Sequence, residues 1–153
     1  MQRKIYLVII VFFYCACHYK EENSIQKAPG NSIDEVSLMR KADSVYQRKE
    51  YEMAIKYLNT IIGSDSTKGE YFFLRGKSYT HLLDRKNAIL DYKNSINLHY
   101  RVSEACFNIG LNYIYQDDSM ALLYFEKALP TNPYPDDVRR EILECKRRLK
   151  QVH

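Results

Sequence analysis

Short and bulky apolar positions return along this chain at a fixed interval. Gly76 and Gly110 lie 34 residues apart inside matching frames, FFLRGKSY and CFNIGLNY, and Ala42 precedes Gly76, and Ala54 precedes Ala88, by the same 34. A period of that length predicts stacked helical hairpins. Three copies align. The small position is Ala42, Gly76 and Gly110, followed three residues on by Val45, Tyr79 and Tyr113. A second small position, Ala54, Ala88 and Ala121, precedes a bulky one, Leu58, Tyr92 and Phe125, and then Ile61, Ser95 and Ala128. Two antiparallel helices approach closely only where side chains are short, and large residues then fill the flanking grooves. Each hairpin leaves one apolar face for the next to cover.

Local signals place the helix ends. Ser32 with Glu35 and Thr67 with Glu70 have the S/T-x-x-E spacing of a capping box, in which hydroxyl and carboxylate satisfy backbone donors at a helix start. Lys49 and Glu50, Asp84, and Asp117 with Asp118 form short polar breaks, and Gly63 stands where a helix is expected to stop. After Pro133 and Pro135, Val138, Ile142, Cys145 and Leu149 make an apolar stripe at helical spacing. This predicts a capping helix over 136–153, with Arg139, Arg140, Arg147 and Arg148 on its solvated face, as solenoid ends require for solubility. No β-hairpin signal interrupts the pattern, and the expected fold class is all-α.

Residues 35–135 resemble the tetratricopeptide repeat (TPR) family. Phe72, Gly76, Tyr79, Ala88 and Tyr92 stand at the family's signature positions in the second copy, and Pro133 at its closing proline in the third. Lys41 and Arg75 occupy a position where the family usually has leucine, and the break over Gln116 to Ser119 is one residue short, since Ala88 and Ala121 are 33 apart. The resemblance implies a short right-handed solenoid of three hairpins over 33–135. In such a stack the first helices of successive hairpins line the inner curve. The family's ligand positions there map onto Met39, Arg40, Asp43, Tyr46, Phe73, Lys77, His81, Phe107, Ile114 and Tyr115, the expected groove. The competing reading is that several of these aromatics are core, as aromatics at helical spacing usually are. Members of the family that grip a C-terminal carboxylate do so with Lys, Asn and Arg. The matching positions here are Met39, Asp43, Leu74, Glu104 and Asn108, where Asp43 and Glu104 repel a carboxylate. The resemblance therefore implies a groove without that clamp.

The first residues follow another rule. Arg3 and Lys4 precede an almost uninterrupted apolar run from Ile5 to Cys17, shorter than the roughly 20 residues a spanning helix needs. Residues 1–16 are read as a signal peptide and 17–32 as a polar tether. Cys17 after Ala16 resembles the lipidation site of a bacterial lipoprotein, which implies an acyl anchor on Cys17 and a place in the cell envelope, at the outer membrane, facing the periplasm or the surface. A soluble secreted protein and an uncleaved anchor in the inner membrane remain open alternatives.

Composition narrows the chemistry. The formal charge of +4 loses Arg3 and Lys4 with the signal, leaving too little to attract nucleic acid. Cys106 and Cys145 fall on helical packing positions and are expected to be buried thiols, although a bridge between them is open. His18, His81, His99 and His153 include no pair at i, i+4 spacing and no Cys-x-x-Cys exists, so no metal site is expected. With five glycines, no phosphate-cradling loop and no G-x-S-x-G elbow, neither catalysis, a cofactor nor a small-molecule substrate is expected. The sequence points to a non-enzymatic scaffold that docks a segment of another envelope protein in its groove. The alternative is a structural subunit that associates through its convex face or its ends.

Overall fold

The computed structural model describes residues 34–151, so the signal, Cys17 and the tether expected over 1–32 lie outside the described residues. Seven α-helices follow among them: α1 (Glu35–Gln47), α2 (Tyr51–Ser64), α3 (Gly69–His81), α4 (Arg85–Asn97), α5 (Val102–Tyr113), α6 (Asp118–Ala128) and α7 (Pro135–Gln151), with a 3₁₀ turn over Leu129–Thr131. Each helix packs chiefly on its neighbours in sequence, giving three hairpins and a final helix laid on the third. The fold is an all-α solenoid.

The repeat register accounts for the core. Ala42, Ala54, Ala88 and Ala121 are fully buried, and so are Leu58, Ile61 and Phe125, with Tyr92 almost so. Gly76 and Gly110 mark the close approach within hairpins two and three, where a Cβ would stand 3.1 Å from the Tyr92 ring and 2.5 Å from the Phe125 ring. Apolar clusters bridge successive hairpins. Tyr71 and Leu74 of α3 close the first hairpin's cluster, while Ala105 and Ile109 of α5 join Phe73, Ala88 and Tyr92. Val138, Ile142 and Cys145 of α7 cover Phe125 and Ala128, as the apolar stripe requires. Cys106 and Cys145 are buried, unbridged thiols, and burial raises both above the ordinary thiol range.

The ends of the helices depart from expectation in four places. Asp34 caps α1 by accepting from the Ser37 amide, and Ser32 lies outside the described residues. Thr67 does not cap α3: its amide and hydroxyl both donate to Asp65 Oδ1, at 2.8 and 2.6 Å, and the helix begins at Gly69 without a side-chain cap. Gly63 does not stop α2, which continues to Ser64. Instead of glycine, Lys49, Leu83 and His99 take the left-handed conformation at the ends of α1, α3 and α4, each closed by paired backbone bonds such as Lys49 N–H to Tyr46 O and Glu50 N–H to Val45 O, both 2.9 Å. These are Schellman closures. Asp84 and Asp117 cap α4 and α6.

Two ion pairs replace apolar contacts. Arg75, at the usual leucine position, makes a bidentate 2.7 Å pair with Asp91 of α4 and donates its third nitrogen to Asn59 of α2 at 2.7 Å. Asp91 is only 1% exposed, so the pair ties three helices together inside the stack. Arg148 is not on the solvated face of α7: it forms a bidentate 2.8 Å pair with Asp118 at the start of α6, its guanidinium 4.7 Å above the Tyr115 ring. Arg148 draws the Asp118 carboxyl below its ordinary range.

Candidate functional site

The first helices of hairpins one and two bound a cavity of about 210 Å³, lined by Met39 and Asp43 from α1, by Glu70, Phe73, Leu74 and Lys77 from α3, and by Tyr100 and Arg101 from the turn entering α5. Helical spacing explains why. Met39 and Asp43 are four apart, as are Phe73 and Lys77, so each pair shares a face of its helix. Carboxylates from Asp43 and Glu70 and cations from Lys77 and Arg101 make the cavity's lining mostly polar, with a smaller apolar share from Met39, Phe73 and Leu74. Phe73 is 6% exposed; its ring meets the Tyr92 and Tyr100 rings edge-on at 5.7 and 5.8 Å, and the Arg101 guanidinium stands 5.6 Å above it. It therefore forms a wall of the cavity while supporting the core.

At the C-terminal ends of α1 and α3 the groove closes in an aromatic cluster. The Tyr46 hydroxyl and His81 Nε2 share a 3.0 Å hydrogen bond, and the Tyr51 ring stacks on the imidazole at 4.4 Å with an interplanar angle of 6°. Lys77 Nζ lies 4.8 Å over the Tyr46 ring. His81 is exposed at the surface, but the Tyr46 and Tyr51 rings against it partly desolvate the imidazole and lower its pKa from the ordinary value, and repulsion from Lys77 and Lys49 acts in the same direction. Burial also raises the Tyr46 phenol, with Tyr51 and Asp43 adding to the effect.

The expected groove residues do not all meet. Met39, Asp43, Phe73 and Lys77 converge on one cavity, with Tyr46 and His81 beyond Lys77. Arg40 is turned away to line a separate cavity with Ser37, Lys41, Ser44 and Arg48. Phe107 packs on Phe125 at 5.5 Å and belongs with the third hairpin's core. Ile114 and Tyr115 are not helical: α5 ends at Tyr113, Ile114 enters a turn with φ −48° and ψ 134°, and Tyr115 takes a left-handed φ of 64° beneath Arg148. The short 33-residue spacing is the reason, since the third hairpin turns two residues early relative to Gln47 and His81. Tyr100 and Arg101 escaped the sequence reading because they lie in a turn. The one signal was Tyr100 at the family's proline position.

No protein-family profile matches the sequence and no curated protein matches it. Solved structures do. A first TPR domain of Spaghetti (RPAP3), bound to the HSP90 peptide SRMEEVD, is 18% identical with a TM-score of 0.71 over 78% of this chain and 96% of that one. The second TPR domain of human RPAP3, in complex with the HSP70 peptide SGPTIEEVD, is 20% identical with a TM-score of 0.67 over 73% and 94%. The Sgt2 TPR domain from Aspergillus fumigatus is 19% identical with a TM-score of 0.68 over 80% and 83%. At these identities the likeness carries the fold. The chain has the architecture of a TPR domain.

Proposed function

We propose that this protein is a non-enzymatic interaction scaffold of the bacterial envelope, anchored by lipid on Cys17, that docks a segment of another envelope protein in the groove between its first helices. The observation that carries the docking is the convergence of Met39, Asp43, Phe73 and Lys77, from two successive hairpins, on one cavity with Tyr100 and Arg101 beside them. The mixed-charge, mostly polar lining suits a segment that carries both signs of charge, meeting Lys77 and Asp43, with an apolar side chain against Met39 and the edge of Phe73. Two of the structural neighbours are seen with peptides bound. The segment proposed here is internal and not a chain end, because Met39, Asp43 and Leu74 stand where a carboxylate clamp needs donors, and the cavity's two cations are offset by acids, Lys77 sharing it with Asp43 and Glu70 and Arg101 paired to Glu104 at 2.7 Å. The anchor rests on the basic start, the short apolar run and Ala16–Cys17. Affinity capture from detergent-solubilised envelopes tests the docking: the wild-type chain retains a partner that the variant Asp43→Lys/Lys77→Glu loses while its circular dichroism is unchanged. Equal capture by the variant removes the groove from the interaction.

One observation favours the structural-subunit reading. Leu90 on α4 and Leu123 on α6, at equivalent repeat positions, are 56% and 42% exposed, and Leu90 borders a cavity of about 300 Å³ with Ile89, Tyr113, Lys86 and Lys93. Exposed apolar residues in register on successive second helices offer a surface for lateral association.

A further inference from the structure

A cavity of about 380 Å³ opens on the first hairpin, lined by Ser37, Arg40, Lys41 and Ser44 of α1, by Arg48 just after it and by Tyr57 of α2, with Val45 between them. The repeat explains its position. The residues 34 further on, Tyr71, Leu74, Arg75 and Ser78, occupy the face of α3 turned toward the preceding hairpin, where Tyr71 and Leu74 are buried in the first cluster and Arg75 reaches Asn59 of α2. Among the described residues no hairpin covers the corresponding face of α1. That face is polar where its counterpart is apolar: Arg40 stands in place of Leu74 and Ser37 in place of Tyr71.

The chemistry of this end is one-sided. Three cations meet there, and no carboxylate lines the cavity. The nearest acid in contact is Glu50, which accepts from Arg48 Nε at 2.8 Å, while Arg48 Nη1 donates to Ser44 Oγ at 2.9 Å. These two bonds hold the Arg48 guanidinium in place before any ligand arrives, which reduces the ordering cost of binding. Asp34, at the start of α1, is engaged with the Ser37 amide. Among the described residues Arg40 and Lys41 form no ion pair, and Ser37, Ser44 and Tyr57 add hydroxyl donors. Guanidinium forks, an ammonium and hydroxyls converging on one concavity are the donor set for a tetrahedral oxyanion.

We propose that this cavity is a binding site for a phosphate group, carried by an anionic lipid headgroup or free in solution. The site is distinct from the groove: a segment docked there moves the amides of Asp43 and Lys77, whereas phosphate here moves those of Lys41, Ser44 and Arg48. The two readings therefore fail separately. Because the cations are exposed, binding weakens as salt rises.

The test is nuclear magnetic resonance of the full chain in uncharged detergent micelles, titrated with inorganic phosphate against chloride at constant ionic strength, and in a second arm with phosphatidylglycerol doped into the micelles. Saturable shifts centred on Ser37, Arg40, Lys41, Ser44, Arg48 and Tyr57, and absent from Lys77 and Phe73 across the groove, support the proposal, and the arm that produces them at lower concentration identifies the source. The variant Arg40→Gln/Lys41→Gln, both side chains exposed and outside the core, is expected to weaken the response about tenfold or more, as loss of two charge-assisted bonds implies. No response in either arm overturns the proposal. So does a response that the variant leaves unchanged, or one spread equally over the arginines of α7.

Discussion

Replacing each of three helical glycines by alanine is expected to give three different results from one chemical change. At Gly63 nothing lies within 4 Å of the added Cβ. The substitution there gains only helix propensity, about 0.5–1 kcal/mol. At Gly110 the Cβ would stand 2.5, 2.6 and 2.9 Å from three atoms of the Phe125 ring. Phe125 is fully buried and held by Phe107, so the ring has no space to rotate away. Overpacking of this kind costs about 1–3 kcal/mol. Against the propensity gain, a net loss of up to about 2.5 kcal/mol remains, with about 1 kcal/mol at the middle of the ranges. Gly76 is intermediate: its closest approaches, 3.1 and 3.2 Å to Tyr92 and 3.3 Å to Asp91 Cβ, require small adjustments, and the two effects nearly cancel. For a domain of this size each kcal/mol moves the melting temperature by about 3–5 °C. Gly63→Ala is therefore expected to melt a few degrees above wild type, Gly76→Ala near it and Gly110→Ala several degrees below, followed by circular dichroism at 222 nm. A Gly110→Ala protein that melts with or above Gly63→Ala would refute the close packing of α5 on α6 and the repeat register with it.

The Arg75–Asp91 pair gives a second test: Arg75→Met or Asp91→Leu alone strands a buried charge and costs about 3–5 kcal/mol, whereas the double variant is expected close to wild type in urea midpoint; additive losses would contradict the pairing. His81 supplies a pH dependence. Its folded pKa lies below the ordinary value of 6.5, so the unfolded chain binds more protons between the two, and stability, complete above pH 6.5, falls as pH drops toward the folded value. His81→Gln is expected to flatten the change in urea midpoint between pH 7.5 and 5.5, and an unaltered slope contradicts the partial desolvation of the ring. Cys17→Ser is expected to move the protein from the membrane pellet to a soluble exported fraction; retention in the pellet with residues 1–16 still attached identifies an uncleaved anchor instead.

Much of the fold was legible because small and bulky residues at a 34-residue interval have one economical arrangement. Ala42, Ala54, Leu58, Ala88, Tyr92, Ala121 and Phe125 are buried for that reason. What escaped depends on contacts between residues that carry no periodic mark. Arg75 read as a departure at an apolar position, and only the structure brings Asp91 and Asn59 to it. Lys49, Leu83 and His99 take left-handed turns without the glycine that ordinarily announces them, since paired backbone bonds hold them there. Arg148 read as solvated, but the early turn at Ile114 and Tyr115 brings Asp118 within reach. The groove was half legible. Met39, Asp43, Phe73 and Lys77 follow from the family's ligand positions that the resemblance implies, while Tyr100 and Arg101 come from a turn whose path local sequence does not specify.

The most direct measurement is site-specific photocrosslinking in living cells, with a benzophenone amino acid placed at Asp43 in the groove or at Leu90 on the outer face. Docking in the groove requires a discrete crosslinked partner from Asp43, lost when Lys77→Glu is added, and none from Leu90. A partner captured from Leu90 but not from Asp43 would contradict the groove and transfer the function to lateral association through the second helices.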